Sequence, residues 1–240
     1  MILEYLSNIE LYYCASVSDD AQTFLIVDDE YQHCIKVMRN NIGSKLFATD
    51  GCGIIFEGII TEIQKKSVIA KIEKKYRYEN KLQNFTFYIP NLKNPDRLKF
   101  ALEKCTELGI TNFVLFNSDN TVSKGFKLDR LNKFVLAAMK QSLRSFLPKI
   151  SVIKSIGEIK NHNGEKILFE QSSTQKIKDY KFDPKVNYLM IFGPEGGLSQ
   201  KEIEIINPTL KFNLIENRLR SETAIIKAAT PIAIPATEIV

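Results

Sequence analysis

A short apolar run leads directly into a glycine-rich turn at residues 188–197, which read Tyr188-Leu189-Met190-Ile191-Phe192-Gly193-Pro194-Glu195-Gly196-Gly197. Five apolar residues that end at a Gly-Pro break predict a buried strand that stops abruptly. Gly196 and Gly197 allow backbone conformations that side chains forbid, so a ligand can approach the main chain there. Because the carboxylate of Glu195 would repel a polyphosphate, we expect a neutral or cationic ligand. We call residues 193–197 the GPEGG loop.

The residues after the GPEGG loop predict a helix. Ser199 and Glu202 have the spacing of a reciprocal capping box, ahead of an apolar run that begins at Ile203. The loop is therefore predicted to join a strand to a helix. A tight structural turn is the alternative for such a loop taken alone. A ligand site is favoured by a second unusual string about one helix length further on, Leu219-Arg220-Ser221-Glu222-Thr223-Ala224.

Composition excludes several classes of protein. The chain has 240 residues, of which 44% are hydrophobic and 25% charged, as expected for a globular protein with a sizeable core. It has no apolar stretch near the roughly 20 residues that span a bilayer. Since no basic residue precedes Lys36, a secretory signal is not expected and the protein is predicted to be cytoplasmic. Four cysteines and two histidines show no metal-ligand spacing, so neither a disulfide scaffold nor a metal site is predicted.

Two kinds of pattern divide the chain. Short β-rich segments separated by turn signals predict a small barrel, with strands at 23–27, 45–49, 54–61 and 67–72. A charged stretch at 73–83 has the composition of a linker. Beyond it, helical patterns alternate with apolar strands, which are predicted at 85–89, 113–116, 150–153, 167–169, 188–192 and 212–215. This alternation predicts a mostly parallel α/β sheet. Its clearest helix is predicted at 96–108, between Asn94-Pro95 and Gly109.

Positive charge is concentrated in the middle of the chain. Residues 124–154 hold eight bases against one acid, and the bases are Lys124, Lys127, Arg130, Lys133, Lys140, Arg144, Lys149 and Lys154. Helical periodicity places apolar residues on one face and Arg130, Lys133, Lys140 and Arg144 on the opposite, solvent-facing side. A solvated charged face is one interpretation. The more specific interpretation is that this face binds a polyanion such as nucleic acid.

These motifs resemble those of a known family. The string from Phe192 to Glu202, FGPEGGLSQKE, followed by LRSETA, is similar to the cofactor signature of the RsmE family of SPOUT methyltransferases. Three other stretches are similar to segments of that family, namely His33–Arg39 with Gly43, Lys104–Gly109, and Gln141–Arg144 with Pro148. The resemblance runs in matching order from residue 33 to about residue 230.

The resemblance implies an activity and an architecture. Members use S-adenosylmethionine to methylate N3 of a uridine in small-subunit (16S) ribosomal RNA. An N-terminal PUA-like β-barrel that binds RNA is implied at residues 1–75, a linker at 76–83 and a SPOUT α/β methyltransferase domain with a C-terminal trefoil knot at 84–240. The resemblance also implies a homodimer with ribosomal RNA or the small ribosomal subunit as partner. It requires neither a membrane nor a metal.

The resemblance further implies roles for individual residues. Cofactor binding is expected at Phe169, Gly193, Pro194, Glu195, Gly196, Gly197, Leu214, Leu219 and Thr223. Uridine N3 must lose a proton, so a guanidinium that stabilises charge on the uracil oxygens is expected. Arg220 is the first candidate for this role or for holding the cofactor carboxylate, Arg144 is the second, and Glu222 is expected to orient Arg220. A helix-start charge pair is the alternative interpretation of Arg220 and Glu222.

RNA contacts are expected at two places. In the barrel they are His33, Lys36 and Arg39, acting through phosphates, although a structural role is the alternative for His33. In the methyltransferase domain they are Arg130, Lys133 and Lys140.

Four positions depart from the family pattern. Leu143 replaces a glycine, Asn120 follows Asp119 where an arginine is usual, and Ile215 and Asn217 stand where glycine and arginine are usual. If these side chains contact RNA, its affinity or route of approach differs here. Two alternative functions stay open, namely another SPOUT methylation (ribose 2′-O or guanine) and a non-catalytic RNA-binding or ribosome-assembly role. A nicotinamide oxidoreductase is disfavoured because the sequence has no GxGxxG.

Overall fold

The computed structural model describes residues 8–121 and 125–237 and divides the chain into two compact units. The first unit contains the chain up to Asn80 together with Met139–Leu147. The second contains Lys81–Ala138 and the chain from Pro148 onward. The sequence did not predict that residues 139–147 belong with the N-terminal unit. We call them the 139–147 segment.

The first unit is built on a single six-stranded sheet. Its strands are β1 (Leu11–Tyr13), β2 (Ser16–Val17), β3 (Thr23–Val27), β4 (Lys45–Thr49), β5 (Ile54–Ile63) and β6 (Ser67–Arg77), in the order β1-β4-β5-β6-β3-β2. β1 and β4 are parallel, and the other neighbours are antiparallel. Alternate residues such as Phe24 and Ile26 on β3, and Val68 and Ala70 on β6, are buried in one apolar cluster. The four strands predicted for this unit are confirmed.

A helical segment separates β3 from β4 in the first unit. α1 (Asp28–Gln32) continues into a π-helical turn at His33–Val37, where Cys34 is buried. Asn40 fixes the end of the turn, because its side-chain amide donates to the carbonyl of Cys34 and the hydroxyl of Tyr12. The motif that resembles an RNA-binding segment therefore adopts a compact helical conformation.

Backbone hydrogen bonds join the 139–147 segment to the first unit. The amide of Gly53 donates to the carbonyl of Ser145 at 2.9 Å, and the amide of Leu147 donates to the carbonyl of Gly51 at 2.9 Å. Gly53 has a φ of +106°, and a Cβ there would lie 2.5 Å from the ring of Phe146. Glycine is thus required at position 53 by both its conformation and its surroundings.

The second unit contains a parallel six-stranded sheet, which confirms the predicted α/β class. Its strands are β7 (Phe85–Pro90), β8 (Asn112–Phe116), β9 (Lys149–Val152), β10 (Glu165–Phe169), β11 (Tyr188–Ile191) and β12 (Leu210–Phe212), in the order β12-β10-β11-β7-β8-β9. Apolar clusters cover both faces of the sheet, one around Phe87 and Met190 and the other around Tyr88 and Ile191. The strand predicted at 212–215 is misplaced. It ends at Phe212, so that residues 213–215 form part of the loop that follows.

In the described part of the chain, three helices and two 3-10 turns, at Ile156–Asn161 and Ile177–Asp179, connect these strands, and a fourth helix follows β12. The helices are α2 (Pro95–Glu107), α3 (Leu128–Gln141), α4 (Gln200–Ile206) and α5 (Ser221–Thr237). α2 lies within one residue of its predicted bounds, and the Asn94 side chain caps it by accepting from the amide of Asp96 at 2.8 Å. None of the helices in the described part of the chain has the length and apolar character of a membrane span.

Candidate functional site

Three loops of the second unit form a cavity of about 730 Å³. They follow β10, β11 and β12, which are parallel and adjacent, so their carboxyl ends lie side by side. The cavity is lined by Arg97, Leu168, Phe169, Glu170, Gln171, Phe192–Leu198, Ile203, Phe212–Ile215, Asn217–Ser221 and Ala224. Cavities of this size bind small molecules and cofactors.

One wall of the cavity is aromatic. The rings of Phe169, at the end of β10, and Phe192, directly after β11, stack with centroids 4.8 Å apart and planes 12° apart. Leu214 and Leu219 add aliphatic side chains. This wall suits the apolar or aromatic part of a ligand.

The GPEGG loop presents backbone to the cavity. The amide of Gly197 donates to the carbonyl of Pro194 at 2.9 Å, which closes a tight turn, and Gly197 has a φ of +73°. A Cβ on Gly196 would lie 3.3 Å from the Cβ of Asn120, closer than almost all real contacts of that kind. Glycine thus suits position 197 because of the positive φ, and it suits position 196 because Asn120 lies close to it.

A buried carboxylate supports the loop from behind. The predicted capping box is confirmed, since the amide of Glu202 donates to Ser199 Oγ at 3.2 Å and the amide of Ser199 donates to Glu202 Oε2 at 2.8 Å. Glu202 also accepts from the hydroxyl of Ser118 at 3.0 Å and the amide of Asp119 at 3.1 Å. Asn120, one of the departures from the family pattern, donates to the carbonyl of Gly197 at 3.0 Å. The loop after β8 therefore holds the loop after β11.

The carboxylate of Glu195 is engaged by the protein itself. It accepts from the amide of Lys93 at 3.2 and 3.3 Å, and it lies 3.6 Å from Nη1 of Arg97. Nε of Arg97 lies 3.6 Å from Oε1 of Glu222. Sequence reasoning missed Arg97. The available signal of a site residue was the position of Arg97 in the first turn of α2, shortly after β7. β7 pairs in parallel with β11, the strand that precedes the GPEGG loop.

Most of the predicted cofactor residues lie together around the cavity. They are Phe169, Gly193, Pro194, Glu195, Gly196, Gly197, Leu214 and Leu219. Thr223 is exposed on the first turn of α5, between the lining residues Ser221 and Ala224. Of the predicted catalytic residues, Arg220 lines the cavity and is exposed.

Glu222 lies differently from its predicted arrangement. Within residues 8–121 and 125–237, its ion pair is with Arg97, and none joins it to Arg220. The Oε2 atom of Glu222 is buried and has no hydrogen-bond partner in that part of the chain. The orienting role predicted for Glu222 therefore has no direct contact to support it.

The predicted single basic face on α3 is wrong. The helix ends at Gln141, so Arg144 lies beyond it, half-buried within the first unit, and burial lowers the pKa of its guanidinium. Lys140 is also half-buried and forms an ion pair with Glu30 of the same unit. Arg130 and Lys133 are exposed. Lys124 lies outside the described residues.

The predicted RNA contacts of the first unit lie on or beside the π-helical turn. Lys36 and Arg39 are exposed. His33 is half-buried, and its Nε2 lies 2.8 Å from Oε1 of Glu10. Between residues 8–121 and 125–237, no cluster of three or more His, Cys, Asp or Glu side chains is arranged to hold a metal ion.

Family models match most of the chain. A model for an RNA methyltransferase domain matches residues 79–233, and a model for an RNA methyltransferase PUA domain matches residues 26–73. The chain belongs to this RNA methyltransferase family. Both parts of the predicted architecture, an N-terminal PUA-like domain and an α/β methyltransferase domain, agree with these matches.

Two curated relatives of this chain are named as ribosomal RNA small subunit methyltransferases of type E. A ribosomal RNA small subunit methyltransferase E from Bacillus subtilis is 28% identical over 90% of this chain and 91% of its own length. Ribosomal RNA small subunit methyltransferase E 1 from Borreliella burgdorferi is 29% identical over 84% of this chain and 88% of its own. The predicted RsmE family is confirmed.

Solved structures have the same fold. A probable rRNA-methyltransferase from Porphyromonas gingivalis has a TM-score of 0.81 and 27% identity, covering 94% of this chain and 98% of the other. A ribosomal RNA small subunit methyltransferase E from Neisseria gonorrhoeae, crystallised with S-adenosyl methionine, has a TM-score of 0.83 and 23% identity, covering 95% and 98%. At 23% identity, the similarity to the Neisseria gonorrhoeae structure is evidence for the fold alone.

Proposed function

We propose that this protein uses S-adenosylmethionine to methylate N3 of a uridine in 16S RNA of the small ribosomal subunit. The observation that carries the proposal is the cavity in which the GPEGG loop and the start of α5 meet. Those two segments carry the strings that resemble the family's cofactor signature. The relatives' names support ribosomal RNA of the small subunit as the substrate class.

The residues present fit this cofactor. The cavity volume of about 730 Å³ accommodates it, the stacked rings of Phe169 and Phe192 offer an apolar wall, and the GPEGG loop offers backbone groups without side chains in the way. The residues that would hold it are Phe169, Gly193, Pro194, Glu195, Gly196, Gly197, Leu214, Leu219 and Thr223. When bound, S-adenosylmethionine supplies a methyl group activated by a sulfonium.

Arg220 is the side chain best placed to assist the reaction. Uridine N3 becomes a good nucleophile only when its proton leaves, and negative charge then develops on the uracil oxygens. The guanidinium of Arg220, in the cavity wall and exposed, supplies fixed positive charge to stabilise it. The target base must also be taken out of folded RNA to enter the cavity. Arg144, in the other unit, is the second candidate.

The knot, the oligomeric state and the location that the family resemblance implies belong to the same proposal. We infer a C-terminal trefoil knot of the SPOUT type, a homodimer and a cytoplasmic location. We propose domains at 1–75 and 84–240 joined by a linker at 76–83, with two corrections. β6 extends to Arg77 and the first unit to Asn80, and the 139–147 segment belongs to the first unit.

RNA binding is assigned first to the first unit. Lys36 and Arg39 are exposed beside His33, so they can contact phosphates. Arg130 and Lys133 are the candidates in the second unit. Substituting Lys36 and Arg39 with Met is expected to weaken RNA binding and to reduce the slope of log affinity against log salt by about one per cation. An unchanged slope would remove this surface from the proposal.

The decisive experiment identifies the methylated nucleoside. The protein is incubated with labelled S-adenosylmethionine and either small ribosomal subunits that lack the modification or naked RNA, and the nucleosides are analysed by mass spectrometry. N3-methyluridine is the expected product, and the better substrate shows which form is recognised. Another methylated nucleoside would indicate a different SPOUT reaction. Cofactor binding without any product would favour a non-catalytic RNA-binding role.

A further inference from the structure

Arg97 contacts both segments that resemble the cofactor signature. It projects from the first turn of α2 and lines the cavity. Its Nη1 lies 3.6 Å from Glu195 in the GPEGG loop, and its Nε lies 3.6 Å from Glu222 at the start of α5. One side chain therefore joins two loops that follow different strands.

The chemistry of arginine suits this arrangement. Its planar guanidinium presents nitrogen atoms in a rigid fork, so two carboxylates on different sides can be held at a fixed separation. Lysine offers a single flexible ammonium and cannot set that separation. Glu222 is largely withdrawn from water, with a side-chain exposure of 11%, whereas Arg97 and Glu195 are partly exposed, at 32% and 29%.

The backbone before α2 contributes a second restraint. The amide of Lys93 donates to both oxygens of Glu195, so the loop carboxylate is held from two directions. This point is close to the N-terminus of α2, where the helix dipole favours negative charge. The side chain of Glu195 therefore links the GPEGG loop to α2, and the side chain of Glu222 links α5 to α2.

We propose that Arg97 is a positioning residue, which fixes the GPEGG loop relative to the start of α5 and so forms the cofactor cavity before the ligand binds. The inference rests on the proposed use of S-adenosylmethionine. It adds that the affinity for the cofactor depends on a guanidinium that holds two carboxylates, because a cavity that is already ordered loses less conformational freedom on binding.

The competing explanation is that Arg97 only neutralises Glu222. Removing Arg97 alone leaves a buried carboxylate without its cation, which destabilises the fold whatever happens to the loop. The variants Arg97→Met and Arg97→Met/Glu222→Gln separate the two roles, because the second has no buried charge to neutralise. Arg97→Lys keeps the charge without the fork. Lys99→Met, on the same helix, removes a cation that lies over the Phe134 ring and does not line the cavity.

Calorimetric titration of S-adenosylmethionine into each protein is the first test. We expect Lys99→Met to bind as the wild type does, Arg97→Lys to bind a few-fold more weakly, and both Arg97→Met variants to bind about tenfold more weakly, as for other losses of preorganised geometry. In thermal unfolding, Arg97→Met/Glu222→Gln should recover the stability that Arg97→Met loses. If the double variant regains the cofactor affinity as well, Arg97 only neutralises Glu222 and the inference is overturned.

Hydrogen exchange measured without cofactor is the second test. The amides of Lys93 and of the GPEGG loop should exchange faster in Arg97→Met/Glu222→Gln than in the wild type and in Lys99→Met. Unchanged exchange would overturn the inference. A wild type that fails to bind S-adenosylmethionine would refute the proposed cofactor, and the exchange experiment would still decide whether Arg97 holds the loop.

Discussion

The GPEGG loop and the 139–147 segment both carry family motifs, and both contain a residue with positive φ. In the GPEGG loop that residue is Gly197, with a φ of +73°. In the 139–147 segment it is Leu143, with a φ of +55°, at the position where the family pattern has glycine. Leu143 thus adopts a left-handed conformation that glycine accommodates without steric cost, and the Cβ of leucine makes that conformation strained. The same type of backbone conformation is therefore free of strain in one region and strained in the other.

The two regions also hold the two candidate arginines. Arg220 lines the cavity of the second unit, whereas Arg144 is half-buried in the first. We expect Arg220→Lys to lower kcat by about 100-fold, because a lysine cannot offer the planar donor pair to the developing charge. Arg144→Lys should lower it by less than about tenfold. Steady-state turnover at saturating cofactor and RNA measures both. An Arg220→Lys protein with wild-type turnover would exclude the guanidinium role.

An ion pair between Lys140 and Glu30 joins the 139–147 segment to the rest of the first unit. Lys140→Met removes the cation beside Glu30, whose mostly buried carboxylate keeps the hydrogen bond that it accepts from the amide of Tyr13 at 3.1 Å. We expect a loss of about 2 kcal/mol of stability, less than for a fully buried pair because both side chains retain some exposure. Urea unfolding followed by circular dichroism measures it.

Two matched variants control for the loss of a lysine. Adding Glu30→Gln to Lys140→Met should restore most of the stability, and Lys149→Met, at an exposed position, should change little. Equal losses in Lys140→Met and Lys149→Met would mean that the ion pair does not hold the segment.

In the GPEGG loop, Gly197→Ala tests conformation without crowding, because a Cβ there meets nothing within 4 Å. In the free protein the loop should shift to relieve the strain of about 1 kcal/mol, and restoring the binding conformation should then weaken the affinity for S-adenosylmethionine by roughly fivefold. Gly125→Ala is the matched control, with a φ of +93°, open surroundings and no place in the cavity wall. It should lower stability to a similar extent and leave the affinity unchanged. Weaker binding in both variants would show that the effect is not local to the loop.

The smallest effect is expected at Leu143. Leu143→Gly removes the strain of the left-handed conformation but adds the chain entropy of glycine, so a net gain of about 0.5 kcal/mol is expected. Leu143→Ala keeps a Cβ and therefore keeps the strain, so it should not show this gain. Midpoints of urea unfolding compare the three proteins. If glycine and alanine destabilise equally, strain at 143 is not stored in the native state.

The sequence predicted well what depends on local pattern. Apolar runs located most strands, and Asn94-Pro95 with Gly109 located α2. The Ser199 and Glu202 spacing predicted the capping box. These features are encoded by neighbours in the chain, so periodicity and capping chemistry suffice to find them.

What escaped prediction depends on tertiary contacts. A helical projection placed Arg144 on α3, but the helix ends three residues earlier, at Gln141, and Arg144 belongs to the part of the 139–147 segment that follows it. The hydrogen bonds that hold this segment, such as that from Gly53 to Ser145, are between backbone groups. Backbone bonds do not depend on the type of side chain, so no residue pattern predicts them. The link through Arg97 likewise depends on how α2 is placed beside two loops distant in sequence.

The divided first unit has a consequence for how the protein is made. A chain that has emerged as far as Asn80 has all six strands of the first sheet but lacks Met139–Leu147. At the usual rate of about 5–20 residues per second, several seconds of further translation are needed before this last piece is released. The N-terminal third of the chain therefore stays incomplete as a folded unit until a later stretch is synthesised. We expect the vectorial order of folding, N-terminal domain first, to be broken in this protein.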